Sequence, residues 1–273
     1  VKDKKTNWPV TILLILGSLI ILLPIYLTVT VALKSPEEMS RPLLSLPQDW
    51  RFDNFIEAIE LTNFFNALSN SLIVTVSVVI LTLMTNSLVA YAIARNMHKR
   101  FYKFLFYYFV SAMFVPFPII MLPIVRQTAV WNMDNLLGLI FLYVVYQLSF
   151  NVFIYVGYIK SIPKELEEAA IVDGAGPWKV FWKVIFPLLS PMNATVAILT
   201  CLYAWNDFML PLVIISDQEQ ATLPLVQYIF QSEFSTNYNL AFASYLLALV
   251  PMIIVYLFAQ KWIISGVVRG AIK

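Results

Sequence analysis

The residues best placed to do chemistry in this chain lie in one polar stretch, Glu168-Ala169-Ala170-Ile171-Val172-Asp173-Gly174, which runs on to Phe186-Pro187. Glutamates and an aspartate on a short helix offer docking rather than bond-making. A membrane-embedded enzyme would need paired acids, a metal cluster or a nucleophile–base pair at membrane depth, and none is visible. The single His98 stands beside Lys99 and Arg100 in a basic loop and reads as solvated, and the only cysteine, Cys201, can form no intrachain disulfide. What sets the polar stretch apart is its surroundings. It lies between segments apolar enough to cross a bilayer, which makes it a surface offered to a soluble partner.

The local pattern gives that surface a shape. Ser161 is expected to cap a helix with Pro163 in its first turn. Glu165, Glu167 and Glu168 then sit where the helix dipole favours negative charge. Leu166, Ala169 and Ala170 form a small apolar face, Asp173-Gly174 ends the helix, and Ala175-Gly176-Pro177 turns the chain. A second amphipathic piece, Trp178 to Lys183, leads to Pro187, with Trp178, Phe181 and Trp182 expected at the membrane interface. The competing picture is a helix lying on headgroups. The acidic character of the first helix argues against it, because an anionic leaflet would repel it.

The elements that must hold this surface are membrane spans. Of 273 residues 60% are hydrophobic and only 12% charged, about half the charged share of a soluble domain. This fits one polytopic transmembrane domain over 1–273. A span needs about 20 mostly apolar residues, and six runs qualify, at about 9–33, 69–94, 104–125, 136–158, 185–205 and 240–260. The first follows Lys2, Lys4 and Lys5 but shows no cleavage site before Lys34, so it is read as a retained span. The chain opens at Val1, which reads as a trimmed start. Phe208 to Ile215 is too short to cross and is placed at the interface or capping span five.

Fourteen of the 18 Lys and Arg fall on one set of flanks, those of the termini and of loops 95–103 and 159–184. The positive-inside rule makes that side cytoplasmic. Segments 34–68, 126–135 and 206–239 face outward, the last carrying Asp207, Asp217, Glu219 and Glu233 with no Lys or Arg. The net charge of +2 is too small and too scattered to argue for nucleic acid.

No charged residue sits in the middle of a span, which argues against a proton or sodium relay. Neutral polar groups do recur: Thr75, Ser77, Thr82, Thr85, Asn86 and Ser87 in span two, Gln147, Ser149 and Asn151 in span four, and Asn193, Thr195 and Thr200 in span five. Two readings stand. Such groups pack helices together, or they line a path for a neutral, polyhydroxylated solute. Candidates for the path are Asn86, Gln147, Asn151, Asn193, Trp205 and Asn206. Pro116, Pro118 and Pro123 in span three, Pro187 and Pro191 at the start of span five and Pro251 in span six likewise read as ordinary kinks or as bends around a passage.

The polar stretch resembles the EAA loop of ABC-importer permeases: E-A-A, three residues, G, nine residues, I, any residue, L-P. Here Glu168-Ala169-Ala170, Gly174, Val184, Phe186 and Pro187 keep the spacing, with Val184 for Ile and Phe186 for Leu. The resemblance extends through Leu23-Pro24-Ile25-Tyr26, Leu33-Lys34-Ser35-Pro36-Glu37-Glu38, Asn54-Phe55, Asn70-Ser71-Leu72 and Ala204-Trp205-Asn206-Asp207-Phe208. It is greatest to the MalG-type permeases of maltose and oligosaccharide importers. It implies an all-α, type I importer permease fold of six transmembrane helices with a cytoplasmic coupling helix, in a prokaryotic inner membrane with both termini cytoplasmic.

It also implies that Glu168, Ala169, Ala170, Asp173, Gly174 and Pro187 form the coupling site to an ATPase. The implied partners are a second homologous permease, two ATPase subunits and an extracytoplasmic solute-binding protein, with a sugar as cargo. ATP and Mg would be bound by the ATPase partner, not by this chain, none of whose seven glycines is followed by the lysine of a phosphate-binding loop. Asp217, Glu219 and Gln220 are implied contacts with the binding protein. The tail Arg269-Gly270-Ala271-Ile272-Lys273 either touches the ATPase interface or is a frayed terminus. The alternatives are an importer for another solute, of glycerol-phosphate or acidic-oligosaccharide type, and a channel, for which the coupling loop would have no purpose.

Overall fold

The computed structural model describes residues 7–231 and 237–271, with no description of the side chains at 229, 231, 259 and 261–271. Lys2, Lys4, Lys5, Glu233, the end of the tail at Ile272-Lys273 and the Arg269 side chain therefore lie outside the described residues. No strand occurs among the described residues. The helices are α1 Trp8–Ala32, α2 Asp53–Leu61, α3 Phe64–Arg95, α4 Arg100–Ala112, α5 Phe117–Val130, α6 Leu136–Ile159, α7 Glu165–Val172, α8 Pro177–Val180, α9 Phe186–Leu188, α10 Ser190–Asn206, α11 Met209–Ile214, α12 Leu223–Val226 and α13 Tyr238–Ala271. An all-helical chain is what lipid demands, since a helix satisfies its own backbone polar groups.

Among the described residues four helices are long and apolar enough to cross a membrane: α1, α3, α6 and the Tyr238–Phe258 part of α13. The expected third and fifth spans are each broken. α4 and α5 meet at 104°, and the Pro177–Leu188 and Ser190–Asn206 segments meet at 77°, so six crossings result only if each bent pair is one span. Proline is the cause in both places. Pro116 is extended (ψ 137°) as the cap of α5, and its ring disfavours helical backbone at Val115. Pro118 fits the first turn of α5. In the second break Pro187 and Pro191 flank Leu189, each removing a donor that a continuous helix would use. A π-helical turn, Phe181–Ile185, precedes it.

Two compact units make up the chain, residues 1–65 with 226–254, and residues 66–225 with 255–273. In the first unit Ala32, Ala58, Phe230, Leu240, Ala241 and Ala243 form a small core. Side chains tie off its loops. Lys34, 1% exposed, donates to the carbonyls of Pro42 (3.4 Å) and Leu43 (3.2 Å) and to Ser45 Oγ (3.1 Å). Asn54 Nδ2 donates to the carbonyls of Ala32 (2.8 Å) and Lys34 (2.9 Å), and its Oδ1 accepts from Asn239 (3.3 Å).

The second unit carries two cores. One gathers Ala90, Ile93, Val152, Tyr155, Ile159, Phe181 and Ile185 near the Arg95 end of α3. The other gathers Val74, Val78, Leu139, Tyr143, Leu210 and Ile214. The short apolar segment after α10 is α11, packed on α5 and α6. Gly138 is required where α6 begins, because a Cβ there would lie 1.8 Å from the Met133 carbonyl oxygen.

A carboxylate also holds the loop after α1. Glu38 Oε1 accepts the Gln48 N–H (2.7 Å) and Oε2 the Ser35 N–H (3.2 Å). These bonds, the one from Gln48 foremost, hold its pKa below the usual glutamate value. A group with a lowered folded pKa stabilises above its unfolded pKa and loses that contribution as pH falls through the folded value. Acidifying below the ordinary glutamate range is therefore expected to speed protease cleavage within 39–48 several-fold, and Glu38→Gln to do so already at neutral pH. Cleavage rates insensitive to both changes would show that the carboxylate does not hold this loop.

Candidate functional site

The polar stretch folds as α7 and the turn after it. Ser161 does not cap it. Its hydroxyl donates back to the Tyr158 carbonyl (2.7 Å) at the end of α6, and α7 starts after Lys164 with no side-chain cap. The reason is distance along the chain: Pro163 and Lys164 intervene before the helix begins. The C-terminal stop is as the sequence requires. Gly174 adopts φ +82°, Gly174 N–H donates to Ile171 O (2.9 Å) and Ala175 N–H reaches back to Ala170 O (2.9 Å). This left-handed stop satisfies two carbonyls that a helix end otherwise leaves bare.

Which way α7 faces is set by Glu167, which the local pattern groups with Glu165 and Glu168 without distinguishing it. Its Oε1 accepts from Arg95 Nε (2.6 Å) and its Oε2 from Tyr91 OH (2.7 Å). Arg95 also donates to the Ile162 carbonyl (3.1 Å). The paired side chains are each 12% exposed. Removing one partner of a buried pair typically costs about 3–5 kcal/mol, because the other charge is left uncompensated. The brace turns Glu167 inward, and Ala170, one turn on, packs with Ala175 against the core around Phe181. Ala170 is thus part of this chain's own packing, not of the outward apolar face expected for it.

The outward face is what remains: Glu165, Leu166, Glu168, Ala169, Ile171, Val172 and Asp173, all exposed, Val172 at 87%. Phe181, expected at the membrane interface, is 1% exposed; its ring lies 5.3 Å from Tyr91 and 4.8 Å from Trp182. Trp178 stays exposed and Trp182 is half-buried. Pro187 sits in the first turn of α9, just after the π-turn.

The six candidate path residues do not share one place. Gln147 lines a cavity of about 790 Å³ with Met113, Phe117, Tyr146, Phe150 and Tyr203, in the bay opened by the α4–α5 bend. Asn86 is buried, donating weakly to Val144 O (3.5 Å) and accepting from Thr85. Asn193 accepts from Tyr155 OH (2.7 Å). Asn206 bonds its own helix at Leu202 O (2.7 Å), and Trp205 is buried. Asn151 is buried with its Nδ2 unpartnered. Near the cavity Asp207 accepts from Tyr143 OH (2.9 Å) and from the N–H groups of Met209 (3.1 Å) and Leu210 (3.4 Å), so it caps α11.

At the opposite end of α3, the loop holding Asp217, Glu219 and Gln220 is clasped by that helix. Asn66 and Asn70 donate to the Glu219 carbonyl, Asn70 also to Ala221 O (3.0 Å), and Ser71 Oγ accepts the Leu223 N–H (2.8 Å). Gln220 Oε1 accepts the Leu136 N–H (3.0 Å) and so fastens the loop to α6. Asp217 accepts from Glu219 N–H (2.9 Å) within the turn. The side chains of Asp217 and Glu219 are exposed.

Comparison with known proteins agrees with this architecture. Residues 86–269 match the family model of the binding-protein-dependent transport system inner membrane component. The chain is 38% identical to the multiple sugar-binding transport system permease protein MsmG of Streptococcus mutans, covering 100% of this chain and 99% of that one. It is 34% identical to the probable starch degradation products transport system permease protein AmyC of Thermoanaerobacterium thermosulfurigenes, covering 96% of each. It is 36% identical to the melibiose/raffinose/stachyose import permease protein MelC of Bacillus subtilis, covering 92% and 91%. The fold is that of a subunit in the crystal structure of a bacterial ABC transporter involved in the import of the acidic polysaccharide alginate, with TM-score 0.78 at 22% identity over 96% of this chain and 98% of that one. With apolar spans, a family match over most of its length and relatives aligned end to end, the chain belongs to the inner-membrane permease family of binding-protein-dependent ABC transport systems, as a multi-pass transporter subunit and not an enzyme.

Proposed function

We propose that this chain is a permease subunit of an importer for neutral oligosaccharides, driven by ATP hydrolysis on partner ATPase subunits that bind the outward face of α7. The supporting observation is the division of labour on α7. Its inner face is consumed by the Arg95–Glu167–Tyr91 brace, while Leu166, Ala169 and Val172 stay exposed among Glu165, Glu168 and Asp173. An apolar strip framed by acids on a polar loop fits a cleft in a soluble protein. In this reading ATP and Mg sit on the ATPases. A second homologous permease completes the pathway, both termini are cytoplasmic, and the 216–223 turn faces a solute-binding protein.

Sugar as cargo is supported by the three relatives, whose names concern multiple sugars, starch degradation products and melibiose, raffinose and stachyose. The cavity chemistry is compatible. Aromatic rings and the Gln147 amide suit hydroxylated rings, and among its described lining residues there is no Lys or Arg to hold an anion. A partner that presents sugar is expected by analogy with another solved structure, of a bacterial alginate ABC transporter in complex with an alginate pentasaccharide-bound periplasmic protein.

Two experiments test this reading. In cells lacking the chain, uptake of radiolabelled raffinose or maltotriose should fall to background while glycerol 3-phosphate uptake is unchanged; the reverse pattern would overturn the sugar assignment. For the docking face, Gly174 offers a graded probe, since no neighbour lies within 4 Å of an added Cβ and only backbone strain opposes substitution. Forcing an L-residue into the left-handed region costs about 1–2 kcal/mol, and asparagine tolerates it best. Recovery of the ATPase with the purified chain should fall in the order Gly, Asn, Ala, Val, by about 5- to 30-fold at the end of the series. Full recovery with Gly174→Val would remove this turn from the docking surface.

A further inference from the structure

α3 differs from the other helices that cross or could cross a bilayer. Its 32 residues, Phe64–Arg95, contain neither glycine nor proline. α1 has Gly17 and Pro24, α6 has Gly138 and Gly157, α13 has Pro251, and the two bent pairs are broken at prolines. Glycine and proline are where helices kink or soften, so α3 is the stiffest element of its unit, about 48 Å long at 1.5 Å per residue. Both of its ends grip a functional loop. At one end Arg95 and Tyr91 hold the Glu167 carboxylate of α7. At the other Asn66, Asn70 and Ser71 hold the backbone of Glu219, Ala221 and Leu223.

We propose that α3 is the transmission rod of this subunit. A displacement of α7 at its ATPase-facing side is carried along α3 to the 216–223 turn on the other side, and the reverse, without passing through the bent helices around the cavity. Arg95, Tyr91, Glu167, Asn70 and Ser71 are then positioning residues for coupling. The physical warrant is rigidity with a specific clamp at each end: coupling between distant sites travels through rigid elements and hydrogen-bonded networks. The guanidinium fork of Arg95 reaches the Glu167 carboxylate and the Ile162 carbonyl together, which a lysine ammonium would not reproduce. This inference rests on the docking and binding-protein assignments proposed above.

The test uses the complete transporter in proteoliposomes, with its binding protein and sugar. Three measurements are made: retention of the ATPase subunits, ATPase rate without binding protein, and stimulation of that rate by the loaded binding protein. Arg95→Lys at one clamp and Asn70→Leu at the other should each cut stimulation about tenfold; Asn70→Leu, which does not touch α7, should do so with subunits retained and the unstimulated rate kept. The two together should be no worse than either alone, because a rod released at one end is already disengaged. A second probe leaves both clamps intact. Ile80→Gly with Leu81→Gly softens α3 at two exposed side chains and should reduce stimulation similarly. Undiminished stimulation in all three variants, or clamp effects that multiply independently, would overturn the rod. Failure of the unaltered chain to retain an ATPase would instead refute the docking assignment, so the two failures are distinguishable.

Discussion

Every backbone N–H and C=O that lipid surrounds must find its partner within the protein, and this constraint organises the structure beyond its choice of helices. Where a helix must end near the membrane, bare carbonyls and amides appear, and at several of these ends a side chain takes them. Asn54 takes the carbonyls of Ala32 and Lys34 just past α1. Lys34 takes those of Pro42 and Leu43. Asn70 takes Glu219 and Ala221, Ser71 takes the Leu223 amide and Asp207 takes two amides of α11. The short polar motifs between the spans are thus mostly backbone partners. They fix where each loop leaves its helix, which is why a bundle with bent helices still has defined ends.

The Glu167 brace uses a stronger version of the same device. A buried ion pair seldom adds net stability over an apolar packing of similar size. What it adds here is orientation. α7 has only eight residues, too few to stand alone in water, and its apolar and acidic residues are so mixed that several rotations would bury comparable surface. Two hydrogen bonds to one carboxylate from residues one turn apart on α3 select a single rotation. That rotation puts Ala170 against the core and leaves Val172, Leu166 and Ala169 outside.

Much of this was legible in the sequence, for reasons that differ by residue. The spans follow from apolar length. The stop at Gly174 follows from Asp-Gly before Ala-Gly-Pro, a local pattern that the φ of +82° matches. The inward turn of Glu167 was not legible, because its partner lies 72 residues away and no local periodicity separates Glu167 from Glu168. The only trace is that Arg95 closes an apolar run directly, where a charge at the end of a span calls for a partner. The breaks at residues 113–116 and at Leu189 were foreshadowed by proline, but their size was not, since a proline inside α1 or α13 leaves those helices continuous. Phe181, an aromatic beside lysines, packs inside the chain against Tyr91 and Trp182, and the contact with Tyr91 comes from a distant helix that its local sequence does not reveal.

The polar residues inside the spans divide by what each can fall back on. A threonine hydroxyl in a helix has the carbonyl one turn earlier within reach. Thr75, Thr82 and Thr200, though unpartnered and buried, can relieve themselves by a rotamer change within their own helices. Asn86, Asn193 and Asn206 already have partners. Asn151 is different. Its Nδ2 is buried, bears two donors and has no acceptor, and an unsatisfied buried polar group costs about 1–3 kcal/mol. An acceptor from a repacked neighbouring helix, a water or a sugar hydroxyl would lift that cost. Of the six candidate path residues, Asn151 is therefore the one whose present environment favours a different arrangement of the helices around it. A transporter that must alternate between two packings needs groups of this kind, satisfied in one state at the expense of the other.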